Sequence, residues 1–322
     1  MKLASVLTPL SDTNLTLAAQ AGVESIALRY QDGGRGDWSQ TVQRLRSYGL
    51  QPAAVEGYVP MESIICGDDG RESEIHNFLR LLEIMSEVEI PVLCYNFMPG
   101  TDWVRTRIDF PERGGAKTTQ FRLGDIEDAV ALNSVTTQSS GDDNLSAESL
   151  WRNLSYFLER VIPRAEELGI NLAMHPDDPP LESIHNQDRI MNSVESFDRL
   201  LNIAPSPNNG ICFCQATFTL ISEDIIATIH RFGDAIKYVH FRDVRGSRKD
   251  FVETFHDNGP TDMLSAMLAY KKIAFDGPIR PDHVPQLIGE DAGEPGYTMM
   301  GRLFAFGYMR GLIEAADALS QR

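Results

Sequence analysis

NLAMHPDDPP, residues 171–180, passes from an apolar run straight into a histidine, two aspartates and three prolines. Two readings compete for it. It is an ordinary loop, or it is the end of a buried strand that presents His175 at the lip of a cavity. In the second reading the prolines restrict the backbone that carries the histidine. What surrounds the stretch decides between them.

Seven more short, apolar runs occur along the chain: LASVLT (3–8), SIALRY (25–30), QPAAVEGY (51–58), PVLCYNF (91–97), GICFCQAT (210–217), IKYVHFRDV (236–244) and GPIRPDHV (277–284). Longer segments of helical period separate them, among them 37–50, 72–88, 146–169, 222–233 and the C-terminal 299–319. Several of these stop at a glycine just before the next apolar run, as helices commonly do. Eight strands, each followed by a helix, predict an α/β fold, a (β/α)8 TIM barrel spanning residues 1–322 as one domain. A doubly wound open sheet is the alternative, because alternation alone does not show closure. No glycine-rich phosphate loop follows a strand, which weakens nucleotide-binding readings. Residues 99–144, with RGGAKTTQ and TTQSSGDDN, show no clear period and follow strand 4. They are expected to form a lid-like insertion over the mouth of the barrel.

Composition narrows the function. The 322 residues are 42% hydrophobic and 23% charged, ordinary for a globular protein. No apolar run approaches the roughly 20 residues that span a bilayer. MKLASVLTPLSDTN turns polar after one short apolar segment, so it reads as a first strand rather than a signal peptide. Four cysteines (Cys66, Cys94, Cys212, Cys214) are too few for a disulfide framework in a chain this long, and a reducing cytoplasm is expected. A net charge of −17 argues against nucleic acid and against an anionic membrane surface. An anionic ligand would need local positive charge against that background.

Donor residues end four successive strands: His175, the pair Cys212 and Cys214, His240, and Asp282. Singly, each has a bland reading as a structural histidine, a small buried hydrophobe or a turn residue. In a barrel the strand ends converge, so together they present nitrogen, sulfur and oxygen donors to one point, and a metal is expected there. Cys212 and Cys214 are two apart, so both can face the barrel interior and alternation does not choose between them; lying nearer the strand end favours Cys214. Arg280 shares a face with Asp282, and Arg242 with His240. Both arginines are candidates for contacting an anionic ligand, or for pairing with carboxylates such as Asp243 or Glu56.

The motifs VLCYNFMPGTDWVRT (92–106), MHPDDPP (174–180), GICFC (210–214), VHFRDV (239–244), FVETFHDNGPTDM (251–263), RPDHV (280–284) and GYTMMGRLFAFGYMRGL (296–312) together resemble the mannonate dehydratase family. That resemblance implies a xylose-isomerase-like barrel that removes water from D-mannonate to give 2-keto-3-deoxy-D-gluconate. It implies Mn²⁺, with Fe²⁺ or another divalent metal as alternatives, held by His175, Cys214, His240 and Asp282. Ligand softness alone would favour Zn²⁺. It also implies His283 and Tyr297 as the proton-transfer pair, read here as base and acid, with the reverse left open. Asp282 and His283 are neighbours, so both reach one site only where the strand ends; Pro281 and Pro285 favour that ending. Arg242, Arg280, Arg302 and Asp177 are the expected substrate contacts. The partners implied are a small-molecule sugar acid and a second copy of the chain in a homo-oligomer. The sequence departs from the family pattern at QAT (215–217), at Val284-Pro285, at LESIHNQDRIM (181–191), and at Val252, where a histidine is usual. These changes leave room for a sugar isomerase or epimerase on the same barrel, or for a non-catalytic sugar-acid-binding relative.

Overall fold

Each of the eight apolar runs becomes a strand in the computed structural model, which describes residues 1–32, 35–57, 59–100, 103–131 and 145–320. They are β1 (Lys2–Ser5), β2 (Ser25–Arg29), β3 (Gln51–Glu56), β4 (Val92–Tyr95), β5 (Asn171–Met174), β6 (Asn209–Cys214), β7 (Ile236–Phe241) and β8 (Pro278–Pro281). All pair in parallel with their sequence neighbours, and β8 returns to pair with β1, Lys2 opposite Pro278 and Leu3 opposite Ile279. Closure excludes the open-sheet alternative.

Side-chain alternation sorts each strand into two layers. Leu172 and Met174, Ile211 and Phe213, Val239 and Phe241 point outward into the main core beneath the helices. Between them Ala173, Cys212 and Tyr238 point into the barrel, with Ala27, Ala54 and Cys94. The same alternation turns Cys214 and His240 inward, at the strand ends where the active face of such barrels forms.

The helices show why this layer is stable. Helix Ala147–Leu168 buries Leu150, Leu154, Phe157, Leu158, Val161, Ile162 and Ala165, a stripe of period near 3.6. Ser146 caps it by accepting from Ser149 N, and Gly169 ends it in the left-handed region at φ 69°. Phe157 meets Phe78 of helix Arg71–Glu87 edge to face at 4.9 Å. Each large apolar side chain so buried contributes roughly 1.5–3 kcal/mol. No helix among the described residues is long and apolar enough to cross a membrane.

The segment after β4 differs from the aperiodic connection expected. Strands Arg107–Pro111 and Lys117–Arg122 form a hairpin, and the second pairs with Asp250–Glu253 from a hairpin that follows β7. With Val244–Ser247 they make a four-stranded antiparallel sheet, Phe251 opposite Phe121. Such short strands carry little periodic signal, and their partner lies far along the chain. The rest of the expected insertion, residues 101–102 and 132–144, lies outside the described residues.

Candidate active site

His175 follows directly on β5, where its backbone N–H donates to Tyr95 O at 2.8 Å. Its Nδ1 is 2.7 Å from Pro176 O, an atom that can only accept. Nδ1 therefore carries the proton and Nε2 keeps its lone pair, the usual preparation of a metal-binding imidazole. Cys214 ends β6 beside His240 in the neighbouring strand. Its sulfur accepts from Thr217 Oγ1 at 3.3 Å and from Arg242 Nη2 at 3.4 Å. The His240 ring is 5.1 Å from that of His175, and neither of its buried nitrogens makes a hydrogen bond. Glu56 Oε2 is 3.4 Å from its Nε2, and Asp282 Oδ2 is 3.7 Å from its Nδ1.

The donor atoms of His175, Cys214 and His240 lie within 4.8 Å of one another, and Asp282 Oδ2 is 3.9 Å from the Cys214 sulfur. A buried imidazole with unmet nitrogens, a thiol and a carboxylate converging in this way fit a divalent cation. Cys94, Cys212 and His240 form a second, overlapping group within the same distance, and Cys212 is fully buried in the barrel interior.

Around these donors runs a buried ionic web. Arg280 donates to both oxygens of Glu56, at 2.8 and 3.0 Å, and to Asp282 Oδ1 at 2.8 Å. Arg242 joins Asp282 (2.6 Å), Asp178 (2.8 Å) and Glu253 (3.2 Å). Arg105 holds Asp178 with two hydrogen bonds and reaches Glu253. Burial pushes each of these carboxyls toward the neutral form, yet the charges beside them win. Arg280 holds Glu56 well below the usual range, and Arg280 and Arg242 do the same for Asp282. Arg105 and Arg242, with the hydrogen bond from His283, keep Glu253 ionised. The arginines thus pair with carboxylates, Glu56 among them, whereas Asp243 accepts from Val244 N and Thr261 instead. Buried webs of this kind fix geometry more than they add stability, and deleting one member costs roughly 3–5 kcal/mol.

β8 stops at Pro281, so Asp282 and His283 both reach the cavity just beyond it. His283 Nδ1 is 2.7 Å from Glu253 Oε1, and Nε2 is 3.2 Å from the Tyr297 hydroxyl. An ionised Glu253 can only accept, so Nδ1 carries the proton and Nε2 accepts from Tyr297. Burial lowers the His283 pKa despite Asp282 and Glu253, so the ring is neutral at neutral pH. Burial, with Asp282, raises that of Tyr297, which stays protonated. Trp103 lies on the His283 ring at 4.2 Å, and Arg29 sits 4.6 Å over the ring of Tyr297.

These groups line a cleft of about 610 Å³, counting its open mouth, at the C-terminal ends of the strands. Of the expected site residues, His175, His240, Asp282, His283, Tyr297 and Arg280 line it, and Cys214 stands directly behind. Arg242, Arg302 and Asp177 do not line it. Arg302 donates to Tyr297 O at 2.6 Å, so it holds the tyrosine's backbone. Asp177 accepts from Met191 N at 2.8 Å and lies 4.0 Å from Arg189, fully buried, with burial pushing its pKa up to about 6. Sequence reasoning missed Glu253, Asp178 and Arg29 as site residues and treated Glu56 only as a counter-ion. Glu56 and Arg29 close β3 and β2, so the strand-end rule would have found them had it been applied beyond the last four strands.

A closed barrel with its polar strand ends gathered at one mouth sets the class, a (β/α)8 TIM barrel. An L-ribulose 3-epimerase structure, 12% identical, shares that fold with a TM-score of 0.65 over 100% of this chain and 97% of its own. Nearer relatives fix the family. The chain matches the model of the D-mannonate dehydratase (UxuA) family over residues 9–322 and belongs to that family. It is 36% identical over 288 residues to the mannonate dehydratase of Oceanobacillus iheyensis, covering 84% of this chain and 82% of the relative. The Thermotoga maritima mannonate dehydratase is 33% identical over 303 residues, 85% of this chain and 84% of its own. The crystal structure of mannonate dehydratase from Streptococcus suis serotype 2 is 27% identical with a TM-score of 0.90, covering 99% of this chain and 96% of that one. The chain is accordingly a sugar-acid dehydratase, a hydro-lyase, and its family implies a divalent metal.

Two predictions follow from buried groups beside the site. Glu253→Gln keeps an amide oxygen that can accept from His283 Nδ1–H but removes the negative charge that steadies the imidazolium formed when Nε2 takes a proton. The turnover number should fall by about 10²- to 10³-fold with unchanged metal content and circular dichroism. A fall below about threefold would contradict the role given to the Glu253 charge. His256, buried behind the site, is lowered from 6.5 to about 4, chiefly by burial. Between those values the unfolded chain binds the extra proton and the folded one does not, so stability is full above 6.5 and is lost as pH falls toward 4. Urea unfolding of wild type and His256→Gln over that range should show the wild type losing up to about 3 kcal/mol more; parallel curves would refute it.

Proposed function

We propose that the protein dehydrates D-mannonate to 2-keto-3-deoxy-D-gluconate in the cytoplasm, as a step of hexuronate breakdown, with His283 as base and Tyr297 as acid. The observation that carries the reading is the His283–Tyr297 pair, its tautomer set by Glu253 beside the His175, Cys214, His240 and Asp282 donors. Those four residues would hold Mn²⁺, which when bound supplies Lewis-acid stabilisation of charge on the substrate carboxylate.

His283 Nε2, neutral and carrying a lone pair, takes the C2 proton. Glu253 steadies the imidazolium that forms. Tyr297, kept protonated, gives its proton to the C3 hydroxyl, which leaves as water while the C2–C3 double bond forms. The enol product becomes the 2-keto acid when C3 takes up a proton. Arg280, fixed between Glu56 and Asp282, shapes the cavity wall from which the substrate is positioned.

The test is to offer the Mn²⁺-loaded protein a panel of aldonates and assay 2-keto-3-deoxy acids. D-mannonate should give product fastest. No product from any aldonate, with metal bound, would defeat the reading.

A further inference from the structure

An anionic substrate meets an acidic cavity. Its walls carry the carboxyl groups of Glu56, Asp178 and Asp282. The cations lining it, among the described residues, are Arg29 and Arg280. Arg280 is almost wholly buried, and its guanidinium already serves Glu56 and Asp282. Turning it toward a ligand would strand a buried carboxylate, the costly way to break such a pair. Arg29 is placed differently. It ends β2, its guanidinium covers the ring of Tyr297 at 4.6 Å, and its Nη2 meets Glu294 Oε1 at 3.1 Å. The two side chains of that pair are 22% and 34% exposed, so water can solvate Glu294 if a ligand takes its place.

We propose that Arg29 recognises the carboxylate of the substrate, exchanging Glu294 for it, and so makes the site selective for sugar acids over neutral sugars. This rests on the aldonate reading above. The placement agrees with the chemistry, because the proton to be removed is on the carbon bonded to the carboxylate. An anchor for that carboxylate must stand beside the proton-transfer pair, and Arg29 stacks on one member of it. A planar guanidinium also matches a carboxylate with two parallel hydrogen bonds, which a lysine does not reproduce.

D-mannonate and D-mannitol, alike except for the carboxylate, provide the test. Their affinities are measured by ligand-observed NMR titration on the His283→Asn protein, alone and with Arg29→Gln, Arg29→Lys or Glu294→Gln. Arg29→Gln should weaken mannonate binding by about tenfold or more while mannitol changes by less than about twofold. Arg29→Lys should fall between, and Glu294→Gln should bind mannonate at least as tightly as the His283→Asn protein alone. Equal weakening of both ligands, the signature of a merely structural contact, overturns the proposal, as does unchanged mannonate binding. The titrated proteins all carry His283→Asn, which suppresses turnover, so that binding is read alone; turnover is assayed separately on the wild type. Mannonate binding with no 2-keto-3-deoxy acid from the wild type therefore overturns the dehydratase reading alone.

Discussion

His283→Asn should reduce turnover of D-mannonate by about 10³-fold or more, at the upper part of the range for losing a general base. Asparagine keeps a polar group of similar reach, but it has no nitrogen that takes a proton near neutral pH. The surroundings limit collateral damage. Trp103 still closes one side of the position, and Glu253 keeps Arg105 and Arg242 as partners. The substitution leaves Asp282 in place, so the metal content of the variant should match wild type. Steady-state kinetics together with elemental analysis separates the two effects. Turnover within about tenfold of wild type, at equal metal content, would remove His283 from the proton-transfer role.

Cys214→Ala should cost the protein its metal. Alanine removes the sulfur that stands within 4.8 Å of the His175 and His240 donors and 3.9 Å from Asp282. Loss of outer-shell partners alone typically lowers metal affinity about 10- to 100-fold, so loss of a ligand should exceed that. Competition with a chelator gives the affinity, and activity should fall in parallel. Cys212→Ala is the informative control, because Cys212 belongs to the deeper group with Cys94. If Cys212→Ala loses the metal and Cys214→Ala retains it, the deeper group is the binding one.

Much of this architecture was legible in the sequence. The eight barrel strands stand out because parallel strands buried on both faces read as apolar runs, and alternation within them placed Cys214 and His240 inside. NLAMHPDDPP ended a strand on His175 because the chain there turns through Pro176 away from the sheet. Pro281 did the same for β8, which let adjacent residues share one cavity. The ionic web was not legible. Arg105, Asp178, Arg242 and Glu253 come from distant segments, and no local spacing reports that they meet. Arg242 is a candidate ligand contact because it shares a strand face with His240, and Arg302 because it lies in the GYTMMGR motif, with pairing to acid side chains as the alternative for each. In the structure Arg242 pairs with Asp282 and Arg302 donates to Tyr297 O. The sheet over the site was hidden for the same reason, since Lys117–Arg122 finds its partner in Asp250–Glu253.

The most direct measurement is a proton NMR time course of D-mannonate with the Mn²⁺-loaded protein in D₂O. Elimination begun at C2 and completed by proton uptake at C3 predicts a 2-keto-3-deoxy product carrying deuterium at C3. Exchange or inversion at C2 with no loss of water would show an epimerase and contradict the account.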